Sequence, residues 1–76
     1  MMTREIETMV AYMDDSVSVF KVEIPTNNEL VAKKFVEGNG EVVAIKKTTR
    51  TIDLDNLSDD DKIILGRMIE LSGIKA

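Results

Sequence analysis

The spacing of apolar positions changes several times along the chain, and each change marks an element. From Arg4 to Met13 polar and apolar residues alternate loosely, with Ile6, Thr8, Val10 and Tyr12 on one face and mixed residues on the other, the two-residue period of a strand. Asp14, Asp15 and Ser16 supply turn chemistry, and Val17, Val19, Phe20, Val22 and Ile24 form a second β-rich run, so the pair reads as a hairpin. The apolar phase slips between Val19 and Phe20, which predicts a bulge or a strand covered on both sides.

Pro25 stops that strand, and Thr26, Asn27 or Asn28 caps a short helix over Glu29 to Glu37, where Leu30, Val31, Lys34 and Phe35 recur about one turn apart. Gly38, Asn39 and Gly40 end it. The β-branched run Glu41 to Ile45, the polar run Lys46 to Arg50 and the segment Thr51 to Leu54 read as a second hairpin turning near Thr48 and Thr49; a single strand from Glu41 to Leu54 is the alternative. Ser58 followed by Asp61 fits a capping box and predicts a helix from Asp59 to about Ser72. Ile64, Leu65, Met68, Ile69 and Leu71 form its apolar stripe, and Gly73 stands where a left-handed cap belongs. The order is β-β-α-β-β-α, or β-β-α-β-α with a single long strand: an α+β fold of two helices on a mostly antiparallel sheet, in one domain over residues 1–76.

Composition sharpens this outline. Aromatic residues make up 4% of the 76, so the core is built from Val, Ile, Leu and Met. A core of that kind supplies about 3 to 5 kcal/mol in so short a chain, and self-association is a common remedy. Neither Cys nor His is present, which removes disulfides, thiolate nucleophiles, imidazole bases and the usual zinc, copper and iron sites. A reducing cytoplasm is the expected compartment. No window approaches a membrane-spanning run, and Met1 to Glu7 is too polar and acidic for a targeting peptide.

Ten Lys and Arg against fourteen Asp and Glu give 10 − 14 = −4. That balance argues against direct nucleic-acid binding, which uses a basic footprint, and points to a basic partner. Asp53, Asp55, Asp59, Asp60 and Asp61 place five carboxylates in nine residues with no base among them. A calcium loop starting at Asp53 fails, because its fifth, sixth and twelfth positions are Leu57, Ser58 and Ile64. The plain reading is carboxylates at the positive end of a helix. The functional reading is a negative surface for a basic partner: alternate strand residues lie about 6.8 Å apart and helix turns repeat at about 5.4 Å, spacings comparable to those of phosphates along a nucleic-acid strand.

Lys46, Lys47 and Arg50 could touch phosphate, yet no aromatic beside them could stack a base, so a solvated turn is expected. Tyr12 and Phe20 read as core or cross-strand partners. Ser16, Ser18, Ser58 and Ser72 have no His or Lys dyad, and Gly38-Asn39-Gly40 lacks the rest of a phosphate-loop fingerprint. No catalytic residue, cofactor or metal is expected.

In size, acidity and the Asp53–Asp61 cluster, with Glu5, Glu7, Asp14 and Asp15 as contributors, the chain resembles small acidic phage-encoded proteins that disable host DNA-binding proteins. That group includes DNA mimics that occupy bacterial nucleoid proteins of the HU type. The resemblance implies a non-enzymatic inhibitor in host takeover, binding a basic bacterial DNA-binding protein through Asp53, Asp55, Asp59, Asp60 and Asp61, with Asp14 and Asp15 adding to the field. The competing expectation is a small structural or regulatory homodimer with a mainly apolar interface. A direct nucleic-acid binder using Lys46, Lys47 and Arg50 ranks third.

Overall fold

A computed structural model describes residues 2–73; Met1 and residues 74–76, which the single-domain reading includes, lie outside the described residues. The elements are β1 (Thr3–Asp14), β2 (Val19–Ile24), α1 (Glu29–Phe35), β3 (Glu41–Asp53) and α2 (Asp59–Leu71). The strands form one antiparallel sheet in the order β2-β1-β3, giving the α+β layout β-β-α-β-α.

The second hairpin is therefore replaced by one strand. Thr48 and Thr49 sit in mid-strand opposite Thr8 and Glu7. Lys46 to Arg50 contain no Gly, Pro, Asn or Asp to build a turn, and Thr, Lys and Arg suit an edge strand washed by solvent. The phase slip also resolves differently. Strand β2 begins at Val19, so Val17 lies in the turn, and the irregularity falls between Tyr12 and Met13, where Val43 is the extra residue on β3 and is exposed.

The β1–β2 turn is held by its own aspartates. Asp14 Oδ1 accepts from the Ser16 N–H at 2.8 Å, and Asp15 Oδ1 accepts from the N–H groups of Val17 at 2.9 Å and Ser18 at 2.8 Å. These bonds hold Ser16 at a φ of 77°, which few non-glycine residues adopt. Asn28 caps α1, accepting from Leu30 and Val31, and the helix stops at Phe35, two residues short of the expected end. Gly40 then takes a φ of 128° where a Cβ would come within 2.7 Å of the Asp14 carbonyl oxygen, so only glycine lets the chain re-enter the sheet past the hairpin turn.

In α2 the expected cap is present: Ser58 Oγ accepts from the Asp61 N–H at 3.1 Å. The expected left-handed Gly73 is not, because Gly73 has no positive φ; Ser72 ends the helix in right-handed geometry, its hydroxyl donating to the Ile69 carbonyl at 2.6 Å. Ile69 also departs from the apolar stripe and is 77% exposed.

Alternation assigns the two faces of the sheet. Met9, Ala11 and Met13 are buried with Ile24, Val31, Ala32, Val36 and Leu71, and Phe20, Val22, Phe35, Val42 and Ile45 pack around them. Thr8, one residue before Met9, is also fully buried, and successive strand residues point to opposite faces, so the sheet is covered on both sides there. On the Thr8 face, register places Arg50 opposite Ile6 and Ile52 opposite Arg4, and Asp61 at the head of α2 bonds to Arg50. Helix α1 covers the Met9–Met13 half of one face; the first turns of α2 cover the Thr8–Ile52 half of the other, and its C-terminal end reaches the first cluster, where Leu71 is buried with Met9 and Val31 and Arg67 lies 5.7 Å from the centre of the Phe35 ring of α1. The molecule is a slab of 42 × 28 × 17 Å.

Candidate functional site

The Asp53–Asp61 segment ends β3, turns, and enters α2 at the end of the sheet where β1 begins. Asp53 pairs with Thr3 in the β1–β3 register, and the Leu54 N–H bonds to the Met2 carbonyl at 2.9 Å. Asp55 braces that end, accepting from the Met2 N–H at 2.6 Å, while Asp53 Oδ1 accepts from the Asp55 N–H at 3.0 Å. Asp55, Asp59 and Asp60 are exposed and Asp53 is half-buried. Four of the five carboxylates therefore belong to one acidic end, to which the exposed Glu5 and Glu7 of β1 are adjacent in the strand.

Asp61 does not join them. It is 9% exposed, and its Oδ1 accepts from Arg50 Nε at 2.9 Å, with Nη2 of the same guanidinium also 2.9 Å away in the ion pair. Arg50 Nη1 meanwhile donates to Glu23 Oε1 at 2.7 Å. One guanidinium thus ties β3 to β2 and to the first turn of α2, its planar donors serving two carboxylates at once. Partial burial opposes the charge on Arg50, but the hydrogen bond to Asp61 and the fields of Glu23 and Asp61 outweigh it, so the guanidinium pKa lies above its ordinary value. Spacing carried a signal for this arrangement: Asp61, Ile64, Leu65 and Met68 follow the i, i+3, i+4, i+7 pattern, so Asp61 heads the inward stripe of α2. Glu23 and Thr8 carried none.

Asp14 and Asp15 lie at the other end of the sheet. Strand β1 runs between them and the acidic end, and twelve residues of strand span roughly 40 Å. Their carboxylates hold the hairpin turn. The Ser18 and Val17 N–H groups keep the pKa of the Asp15 carboxyl below its ordinary value.

The basic residues are likewise separated. Lys46 and Arg50 share one face of β3 while Lys47 points to the other; Lys46 lies 5.6 Å from the centre of the half-buried Tyr12 ring, and Arg50 serves Asp61 and Glu23. Among the described residues no group of three or more acidic side chains is arranged to hold a metal ion, and no helix is long and apolar enough to cross a membrane. No family model, curated protein or solved structure matches the chain.

Proposed function

We propose that the chain is a non-enzymatic cytoplasmic binding domain that seats its acidic end on a basic, DNA-contacting surface of a bacterial protein and competes there with nucleic acid. The supporting observation is the turn that places Asp53, Asp55, Asp59 and Asp60 at one end of the sheet with no Lys or Arg between them in sequence. The patch is narrower than the sequence suggests, since Asp61 is committed to Arg50 and Asp14 and Asp15 are a sheet-length away. The partner chemistry is a Lys- and Arg-rich face of the kind HU-type nucleoid proteins turn toward DNA. Binding of this kind is steered and specified by charge, and it weakens as salt screens the fields.

Titration calorimetry against an HU-type protein at rising sodium chloride tests the reading. Affinity should fall with salt, and changing Asp53, Asp55, Asp59 and Asp60 together to Asn should weaken it on the order of tenfold or more, as the loss of four rim charge pairs implies. Changing Asp14 and Asp15 to Asn should leave binding intact. Unchanged affinity in the fourfold variant would overturn the proposal.

A second reading, a homodimer, is favoured by one observation. Ile63, 53% exposed, and Ile69 flank the exposed Gly66 on the outward side of α2, whereas Leu65 and Met68 are half-buried. If copies associate through this helix, Ile69→Lys disperses them in sedimentation velocity runs and the four Asn changes do not.

A further inference from the structure

Strand β1 is twice as long as its neighbour β2. Their pairing runs only from Met9–Ile24 to Asp14–Val19, so among the described residues no strand lies beside residues 3–8 of β1 on the β2 side. Pro25 ends β2 there, the Thr26 N–H closes a tight turn onto the Ile24 carbonyl at 2.8 Å, and residues 25–27 form the far wall of a groove beside β1.

Backbone direction at this gap follows from one hydrogen bond. The Leu54 N–H donates to the Met2 carbonyl, so Met2 and Leu54 form a hydrogen-bonded pair, and along an antiparallel ladder such pairs recur at every second residue. Even-numbered residues of β1 therefore direct their N–H and C=O groups to β3. Thr3, Glu5 and Glu7 direct theirs to the open side. A groove of about 430 Å³ runs along this edge, its lining including Glu5, Ile6 and Glu7 of β1, Pro25, and Met68 and Leu71 of α2.

The free outer edge of β3 differs. It carries the Val43 irregularity together with Lys46 and Lys47, features that discourage strand addition. The β1 gap has no irregularity and no lysine within Thr3–Thr8; its charges are Arg4 and the exposed Glu5 and Glu7, which favour a basic segment over a second acidic one.

We propose that the β1 gap is a strand-addition site for an extended basic segment, a mode of docking that rests on the reading that the acidic end takes a basic protein partner. Residues directly opposite each other in an antiparallel pair share a face. Side chains opposite Glu5 and Glu7 then meet exposed carboxylates, and the one between them, opposite Ile6, faces the side of the inward stripe of α2, to which Met68 belongs. The complementary sequence is basic-apolar-basic. Backbone bonds to Thr3, Glu5 and Glu7 hold the segment, and the alternation sets its register.

The probe is a short acetylated and amidated peptide alternating Lys and Val, titrated into the isotopically labelled protein and followed by amide shifts and hydrogen exchange. The amides of Thr3, Glu5 and Glu7 should shift and become protected. A peptide N-methylated at its Lys positions should bind on the order of tenfold more weakly or worse, since it cannot donate to the edge. Glu5→Pro should abolish binding while leaving the β1–β3 ladder whole, because the Glu5 N–H faces the gap; Glu5→Gln with Glu7→Gln should weaken binding and flatten its salt dependence. Equal binding of the N-methylated peptide, or shifts confined to β3 or to residues 53–60, would overturn strand addition. If the fourfold Asn variant loses the nucleoid protein while the peptide leaves Thr3, Glu5 and Glu7 unmoved, only the docking mode falls. If that variant binds unchanged, the acidic-end reading falls by itself, and the peptide result decides the groove.

Discussion

The two faces of β1 are sealed by different chemistry. On one, Met9, Ala11 and Met13 meet Ile24, Val31, Ala32, Val36 and, from the end of α2, Leu71, and the buried cluster is apolar throughout. On the other, Thr8, Ile52 and Ile64 are buried beside Arg50, which is bonded to Asp61 and Glu23, so α2 is held partly by charge. The apolar face is stabilised by area removed from water and tolerates small shifts. The mixed face depends on three side chains keeping their geometry, because a charge left there without its partner stays desolvated.

The largest expected effect breaks the apolar face. Met13→Ala should cost about 2 to 5 kcal/mol, as deletion of a fully buried side chain does, against the roughly 3 to 5 kcal/mol that so small a core supplies. Urea unfolding monitored by circular dichroism should find the variant largely unfolded before denaturant is added; a near-native midpoint would show that this face contributes little.

Breaking the mixed face should cost less. Arg50→Met leaves Asp61 and Glu23 without their cation, at about 1 to 3 kcal/mol given that Arg50 and Glu23 remain a quarter exposed. Adding Asp61→Leu and Glu23→Leu should restore much of the loss, since apolar replacement of a charge network is often neutral or better. A triple variant less stable than the single one would mean that the node does more than satisfy itself.

Thr8→Val sharpens the comparison in the opposite direction. The Thr8 hydroxyl is buried with no hydrogen-bond partner among the described residues, and valine has its shape without the unsatisfied group, so the midpoint should rise by an amount equivalent to about 1 kcal/mol. Destabilisation would place a bound water or hidden partner at that oxygen.

The smallest effect lies outside both faces, at the hairpin turn. Asp15 has a lowered folded pKa, so its contribution to stability is present above the ordinary aspartate value and is lost as pH falls through the lowered one. Carboxyl resonances followed by NMR should give an Asp15 midpoint below that of an exposed aspartate in the same chain; an equal or higher midpoint would mean that the Val17 and Ser18 bonds do not persist in solution.

Ser58 and the inward stripe of α2, the Asp14–Ser16 turn, Pro25 as a stop and the glycines after α1 were all readable from the chain, because each acts on residues within a turn of itself. The run Lys46–Arg50 left a turn and a single long strand both open, because its polarity reflects an exposed edge, a property of strand order. The acidic cluster was readable as five carboxylates but not as three exposed, one half-buried and one bonded inward to Arg50.

The sequence by itself determined the boundaries set by Pro25, Asn28, the glycines after α1 and Ser58, since caps and breakers are short-range. It also fixed the excess of acid over base and the absence of imidazole and thiol chemistry. Only the tertiary structure decided which charges face outward, because Glu23, Arg50 and Asp61 come from three elements far apart in sequence and meet when the sheet and α2 close. The gap beside Thr3, Glu5 and Glu7 has the same origin: a strand edge is open or covered according to the length and path of its neighbour, which no local pattern encodes.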